Sequence, residues 1–152
     1  MAIGAEIKDV RKYFKDWVAA SEDVHFMLYG DMRQKMDYVN GKVKKYPILN
    51  LEQPAIKTTI RGNVWFNTFN MGLSIVQKVK NNDLEVHEDA SDATFTILGK
   101  LIKQLIADQR EYNFTHAPLV FDNDEVDTNL VADHVGWRTE FQLMIACGDW
   151  VR

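Results

Sequence analysis

The densest group of side chains able to do chemistry is the run Asp122, Asn123, Asp124, Glu125 and Asp127. Hard cations take clustered oxygen ligands, and this run resembles the opening of a calcium-binding loop. It departs from one in detail: Val126 stands where such a loop carries Asp or Asn, the turn glycine is absent, and no Glu occupies the closing position. The plainer expectation is a solvated turn between two strands. A second cluster, His87, Glu88 and Asp89, falls at an expected helix start, where acidic side chains complement the helix dipole without any further role. His25, His116 and His134 are scattered, and no pair of histidines has the i, i+4 spacing of a helical metal site. The nucleophile elbow GxSxG, the dinucleotide fingerprint GxGxxG and the P-loop are all missing. Cys147 lies within an apolar strand pattern, which points to packing and not to a nucleophile. No catalytic, cofactor-binding or metal-ligating residues are therefore assigned, and the expectation is a protein that is not an enzyme. The alternative is a soluble α+β ligand-binding or metal-dependent enzyme domain that uses the acidic run 122–127.

The composition narrows the classes further. The chain has 152 residues, 46% hydrophobic and 26% charged, the balance of an ordinary globular domain and not of a disordered one. A chain of this length buries roughly two-thirds of its unfolded surface and needs no staple, so residues 1–152 are read as a single domain. Its one cysteine excludes an internal disulfide framework and a cysteine-rich zinc site, and fits a reducing compartment. The net charge of -4 argues against a dedicated nucleic-acid binder, though not against DNA passing nearby. No run of about 18 apolar residues exists, and MAIGAEIKDVRKYF lacks the apolar region of a secretory signal, so synthesis in the cytoplasm and no membrane association are expected.

The elements that must position any site are legible from periodicity. Ile7, Val10, Phe14, Trp17 and Val18 form one stripe at spacings of three and four, which predicts an amphipathic helix over roughly residues 3 to 20. After the short apolar stretch VHFMLYG, Gly30 and Asp31 predict a turn and N-cap for a shorter helix through Met36, ended by Asn40 and Gly41. From Tyr46 the period becomes two. YPILNLEQP, bounded by Pro47 and Pro54, reads as an edge strand or one leading into the sheet. AIKTTIRGN, with Arg61, Gly62 and Asn63 as turn residues, leads into a long strand whose core-like face is Trp65, Asn67, Phe69, Met71, Leu73 and Ile75, with Gly72 as a candidate bulge or bend. NNDLEVHEDASDA reads as an acidic loop that caps, through Asp89 or Ser91, a helix running to about Gln109 with Phe95, Leu98, Leu101, Ile102, Leu105 and Ile106 on its apolar face. The last strand, VGWRTEFQLMIAC, sets Val135, Trp137, Thr139, Phe141, Leu143, Ile145 and Cys147 on its apolar face. The order α, α, β, β, β, α, β, β predicts an α+β fold, an antiparallel or mixed sheet of four to five strands with helices mainly on one face.

Aromatic side chains supply the remaining signal. Trp65 and Phe66 are neighbours in a strand and point to opposite faces, so one of them needs a cover other than the helices. Trp150 and Val151 follow the last strand, where a chain is normally polar and frayed. Trp65, Trp150 and Val151 are accordingly the candidate interface residues.

The same segments, taken in order, resemble a known family. The N-terminal helix, the YPILNLEQP strand with Tyr46, Pro47, Glu52 and Pro54, the long meander, the helix TFTILGKLIKQLIAD and the closing VGWRTEFQLMI strand with Gly136, Trp137 and Phe141 together look like the small neck proteins of tailed bacteriophages. More narrowly they are similar to tail-terminator or head–tail connector ring proteins of phages infecting Bacteroidetes. The resemblance implies a structural virion protein: a ring of identical subunits, six or twelve in such assemblies, stacked between portal and tail. Its partners would be copies of itself, portal, tail or other neck proteins, and DNA that passes through the channel without sequence-specific binding. An acidic balance suits a channel lining that lets DNA slide, and a closed ring of heterologous contacts needs two different complementary patches on each subunit.

Overall fold

The computed structural model describes residues 2–30, 45–79, 84–126 and 133–148. Among them are helices α1 (Ile7–Ala20) and α2 (Leu84–Tyr112) and strands β1 (Phe26–Tyr29), β2 (Ile48–Leu51), β3 (Ala55–Arg61), β4 (Val64–Lys78), β5 (Asp122–Glu125) and β6 (His134–Ala146). The expected second helix through Met36 lies outside the described residues. The fold is α+β, with a mixed sheet of six strands among the described residues, one more than the upper expectation.

β4 organises the sheet. On one side it pairs antiparallel with β6 from Phe66 to Lys78; on the other it pairs with β3 from Val64 to Asn70 and with β2 from Leu73 to Val76. Only a strand of 15 residues can hold two short partners end to end on one edge. Of the two expectations for β2, an edge strand or one leading into the sheet, the edge reading fails, because β1 pairs with it in parallel and all four of its residues are buried. Pro47 and Pro54 flank the strand, so neither has to donate within the ladder. Among the described residues the edge at this end of the sheet is Phe26–Tyr29, inside the apolar stretch in which periodicity marks no element. The β3–β4 hairpin closes on Gly62 and Asn63, with Arg61 opposite Val64 and Gly62 at a φ of 62°, the positive value a two-residue hairpin loop demands.

Both helices cover one face. Val10, Tyr13 and Phe14 of α1 and Ile97, Leu98, Leu101 and Leu105 of α2 meet Phe69, Met71, Leu73 and Ile75 of β4 and Phe141, Leu143 and Ile145 of β6 in a single core. Gly72, Ser74 and Val76 of β4 and His134, Gly136 and Met144 of β6 are buried on the other face as well. The period-two faces expected for β4 and β6 are buried from Asn67 to Ile75 and from Thr139 to Ile145. Each of these large side chains contributes about 1.5–3 kcal/mol on burial, so this layer dominates stability. Tyr13, absent from the expected α1 stripe, is buried because its hydroxyl has a partner: Oη donates to Asp108 Oδ2 of α2 at 2.5 Å.

α2 begins well before the expected cap. Leu84–Asp89 is already helical, so His87, Glu88 and Asp89 sit inside the helix rather than at its start. Those turns expose nearly every side chain, and a polar stretch on an unburied helix reads as a loop. Ser91 does not cap: its hydroxyl donates to Glu125 Oε1 at 3.1 Å and accepts from Trp137 Nε1 at 3.2 Å. The helix closes at Asn113, whose positive φ of 46° is one asparagine tolerates, with its N–H bonded to the Gln109 carbonyl.

Gly72 marks no bulge, since the β4–β6 register runs unbroken through its pairing with Glu140. What the missing side chain provides is room: a Cβ there would stand 2.7 Å from Arg138 Nη2 and 2.8 Å from Glu52 Oε2. Thr139 on β6 is 1% exposed, and its Oγ1 has no hydrogen-bond partner among the described residues. An unpaired buried hydroxyl costs free energy that an isosteric methyl does not. Thr139→Val is therefore expected to be neutral or to raise stability by up to about 1 kcal/mol, read from the urea midpoint.

Candidate assembly surface

The acidic run resolves into strand. Asp122–Glu125 pairs antiparallel with Trp137–Glu140 as β5, all four side chains exposed, which replaces the expected solvated turn. A short polar strand of this kind leaves no apolar alternation by which to find it; its pairing partner β6 supplies the order. Successive side chains of a strand diverge, so Asp122 and Asp124 lie on the face away from the helices while Asn123 and Glu125 lie on the helix side. Glu125 faces Ser91, and this divergence does not wrap a cation. Among the described residues no group of three His, Cys, Asp or Glu converges in a way that could hold a metal ion.

On the outer face the dominant charge group is Arg138. Its Nε donates to Glu52 Oε2 at 2.6 Å, its Nη2 to Glu52 Oε1 at 3.1 Å and its Nη1 to Glu140 Oε1 at 2.5 Å. The fork of hydrogen bonds to Glu52, aided by Glu140 against the opposing pull of burial, raises the guanidinium pKa further above its ordinary value. These residues, with Asn70, Gly72 and Asp122, line an open groove of about 700 Å³. Asp124 is the cross-strand neighbour of Arg138, and Asp122 of Glu140. Four carboxylates around one already engaged guanidinium leave this flank acidic.

The histidines stay apart. His25 is exposed beside β2, with its N–H bonded to the Pro47 carbonyl. His116 lies edge-on to Phe66 at 5.2 Å, and His134 Nε2 lies 3.0 Å from Tyr46 Oη. The His116 ring is thus the cover that the aromatic opposite Trp65 needed. Cys147 is buried, its thiol pKa raised by desolvation against a lowering backbone hydrogen bond, as suits a packing role.

The opposite flank is apolar and basic. Among the described residues β3 bonds only to β4, and its second edge is open. Ile56 pairs across to Phe69 and Ile60 to Trp65, which places both isoleucines on the helix side of the sheet. Ile56 is nonetheless 45% exposed and Ile60 59%, because the hairpin reaches past the helices. Between them Thr58 Oγ1 donates to Asn67 Oδ1, and Asn67 Nδ2 donates to the Ala5 carbonyl, tying the hairpin to the start of α1. Trp65 is half-buried beside Ile60, and its carbonyl accepts the Cys147 N–H. Of the expected interface residues, Trp65 thus lies on this surface, while Trp150 and Val151 lie outside the described residues. Ile56 and Ile60 were missed by sequence reasoning, although the alternation in AIKTTIR carries the signal. No protein-family model and no curated protein matches the chain.

Proposed function

We propose that this chain is a structural virion protein of a tailed bacteriophage, forming an oligomeric ring in the neck, as head–tail connector or tail terminator, that joins portal and tail around the DNA channel. The observation that carries the reading is the β3–β4 hairpin: a strand edge left open among the described residues, with Ile56 and Ile60 exposed on the face that elsewhere forms the core. Open apolar edges are an aggregation liability unless another chain covers them, and a ring covers every one. The second support is the likeness of the ordered segments to small neck proteins. Copies of the chain, together with portal, tail or other neck proteins, are the partners, and DNA passes without sequence-specific contacts. The virion is the site of action, and no catalytic step is assigned.

The mass of the purified protein and imaging of the particle test this. A closed ring, alone or on adding neighbouring virion proteins, is the expected result. A chain that stays monomeric at high concentration with those proteins present overturns it. Calcium or magnesium raising the melting temperature, with the gain lost in Asp124→Ala, would instead favour a metal-dependent domain. Removing the residues after Cys147 is expected to leave the melting temperature of the monomer unchanged and to weaken assembly. Cys147 is the last residue whose side chain belongs to the described core.

A further inference from the structure

The two flanks of the sheet are complementary to each other. β3 and β5 both have an open edge among the described residues, and they lie on opposite sides of the β4–β6 pair. Successive antiparallel pairings, β3 with β4, β4 with β6 and β6 with β5, make β3 and β5 run in opposite directions. A second copy placed alongside without inversion, and slid roughly 20 Å along the strands because Lys57 is level with Met144 of β6 and Asp124 with Arg138, brings its β3 antiparallel to the first copy's β5, outer face continuing outer face.

Charge follows the same division. Lys57 and Arg61 pair with Thr68 and Val64, which puts them on the outer face of β3, the face on which β5 carries Asp122 and Asp124. Cross-strand neighbours of opposite charge attract, and like charges in those places repel. On the helix side, the Glu125 end of β5 borders a groove of about 460 Å³ lined by the apolar Leu84 and Val126 together with His87, Glu88, Asp92 and Glu125, and Leu84 is 71% exposed. With Lys57 set opposite Asp124, Ile56 of the added strand arrives beside Glu125 and this groove, and Ile60, further along, arrives beside Phe121.

We propose that neighbouring copies join by strand addition, β3 of one subunit lying antiparallel on β5 of the next, with Lys57 opposite Asp124 and Arg61 diagonal to Asp122 on the outer face, and Ile56 at the Leu84 groove and Ile60 beside Phe121 on the helix side. This rests on the ring reading and specifies its contact. Main-chain hydrogen bonds hold the subunits and the charges set the register. The contact is heterologous, so each copy uses one edge of each kind and rotation closes the ring.

Charge exchange is the test, with native mass spectrometry and sedimentation as the readout. Wild type is expected as a ring; Lys57→Glu/Arg61→Glu and Asp122→Lys/Asp124→Lys are each expected at the 17.6 kDa monomer mass. The first variant has two acidic edges and the second two basic ones, so an equimolar mixture should regain a ring of alternating copies. Both variants should still unfold cooperatively as folded monomers, because the altered side chains are exposed, and should lack only the stabilisation that assembly adds to the wild type. A wild-type ring that either variant leaves intact, or a mixture of folded variants that stays monomeric, overturns this contact and leaves the ring reading standing. A wild-type monomer in the presence of the neighbouring virion proteins overturns both.

Discussion

Gly136→Ala should destabilise the protein by about 3 kcal/mol or more, and Gly136→Val by more still. Gly136 lies opposite Val76 where the two longest strands cross the core, and a Cβ built on it overlaps the carbonyl group of Ile75 and approaches the Cα of Val76. The obstacle is backbone inside a continuous ladder, so no side chain can turn away to relieve it. Relief requires β4 and β6 to part, which breaks hydrogen bonds and opens the face filled by Leu73, Ile75 and Leu143. Gly99, in the middle of α2, is the control: a Cβ there meets nothing within 4 Å, and Gly99→Ala should stabilise by about 0.5–1 kcal/mol through helix propensity alone. Urea unfolding reads both shifts from the midpoint at constant slope. A Gly136→Ala midpoint equal to wild type would mean the strands are not packed as closely as described.

Tyr13→Phe should cost about 1.5–3 kcal/mol at neutral pH, because it strips a buried carboxylate of a hydrogen-bond donor. Asp108 as a residue is 4% exposed. Desolvation pushes its pKa up, but hydrogen bonds, among them those from Tyr13 Oη and Gln104 Nε2, outweigh this and hold it below the ordinary value. The Tyr13 pKa is driven well above that of a free tyrosine, first by burial and then by its bond to the Asp108 carboxylate. The two shifts act on opposite limbs of the stability profile. For Asp108 the stabilisation is complete above the unfolded carboxylate value of about 4 and is lost as pH falls below it. For Tyr13 it is complete below the unfolded tyrosine value of about 10 and is lost as pH rises beyond it. Tyr13→Phe should therefore flatten the alkaline limb and weaken the acid one, while Asp108→Asn should flatten the acid limb. Thermal unfolding from pH 2 to pH 11 measures this, and identical profiles for wild type and Tyr13→Phe would remove the coupling.

Periodicity sufficed for the pieces that bury one face. The α1 stripe, the core faces of β4 and β6 and the Arg61–Asn63 turn stand where the residue spacing placed them, because a half-buried helix or strand writes its own repeat into the chain. Elements that bury little or bury both faces carry no repeat. The first turns of α2 looked like loop, β5 looked like a turn, and β1 carried no assignment.

What the sequence determined by itself is an acidic chain without a catalytic or nucleotide motif, built from amphipathic helices and alternating strands into an α+β fold with its helices on one side. Tertiary structure alone decided which strands are neighbours. Pairing is a contact between distant residues, and neither β5 nor β3 states in its own residues what lies beside it. That is why β2 became interior, why the carboxylates of 122–125 divided between two faces, and why a basic and an acidic edge came to lie on opposite flanks of one sheet.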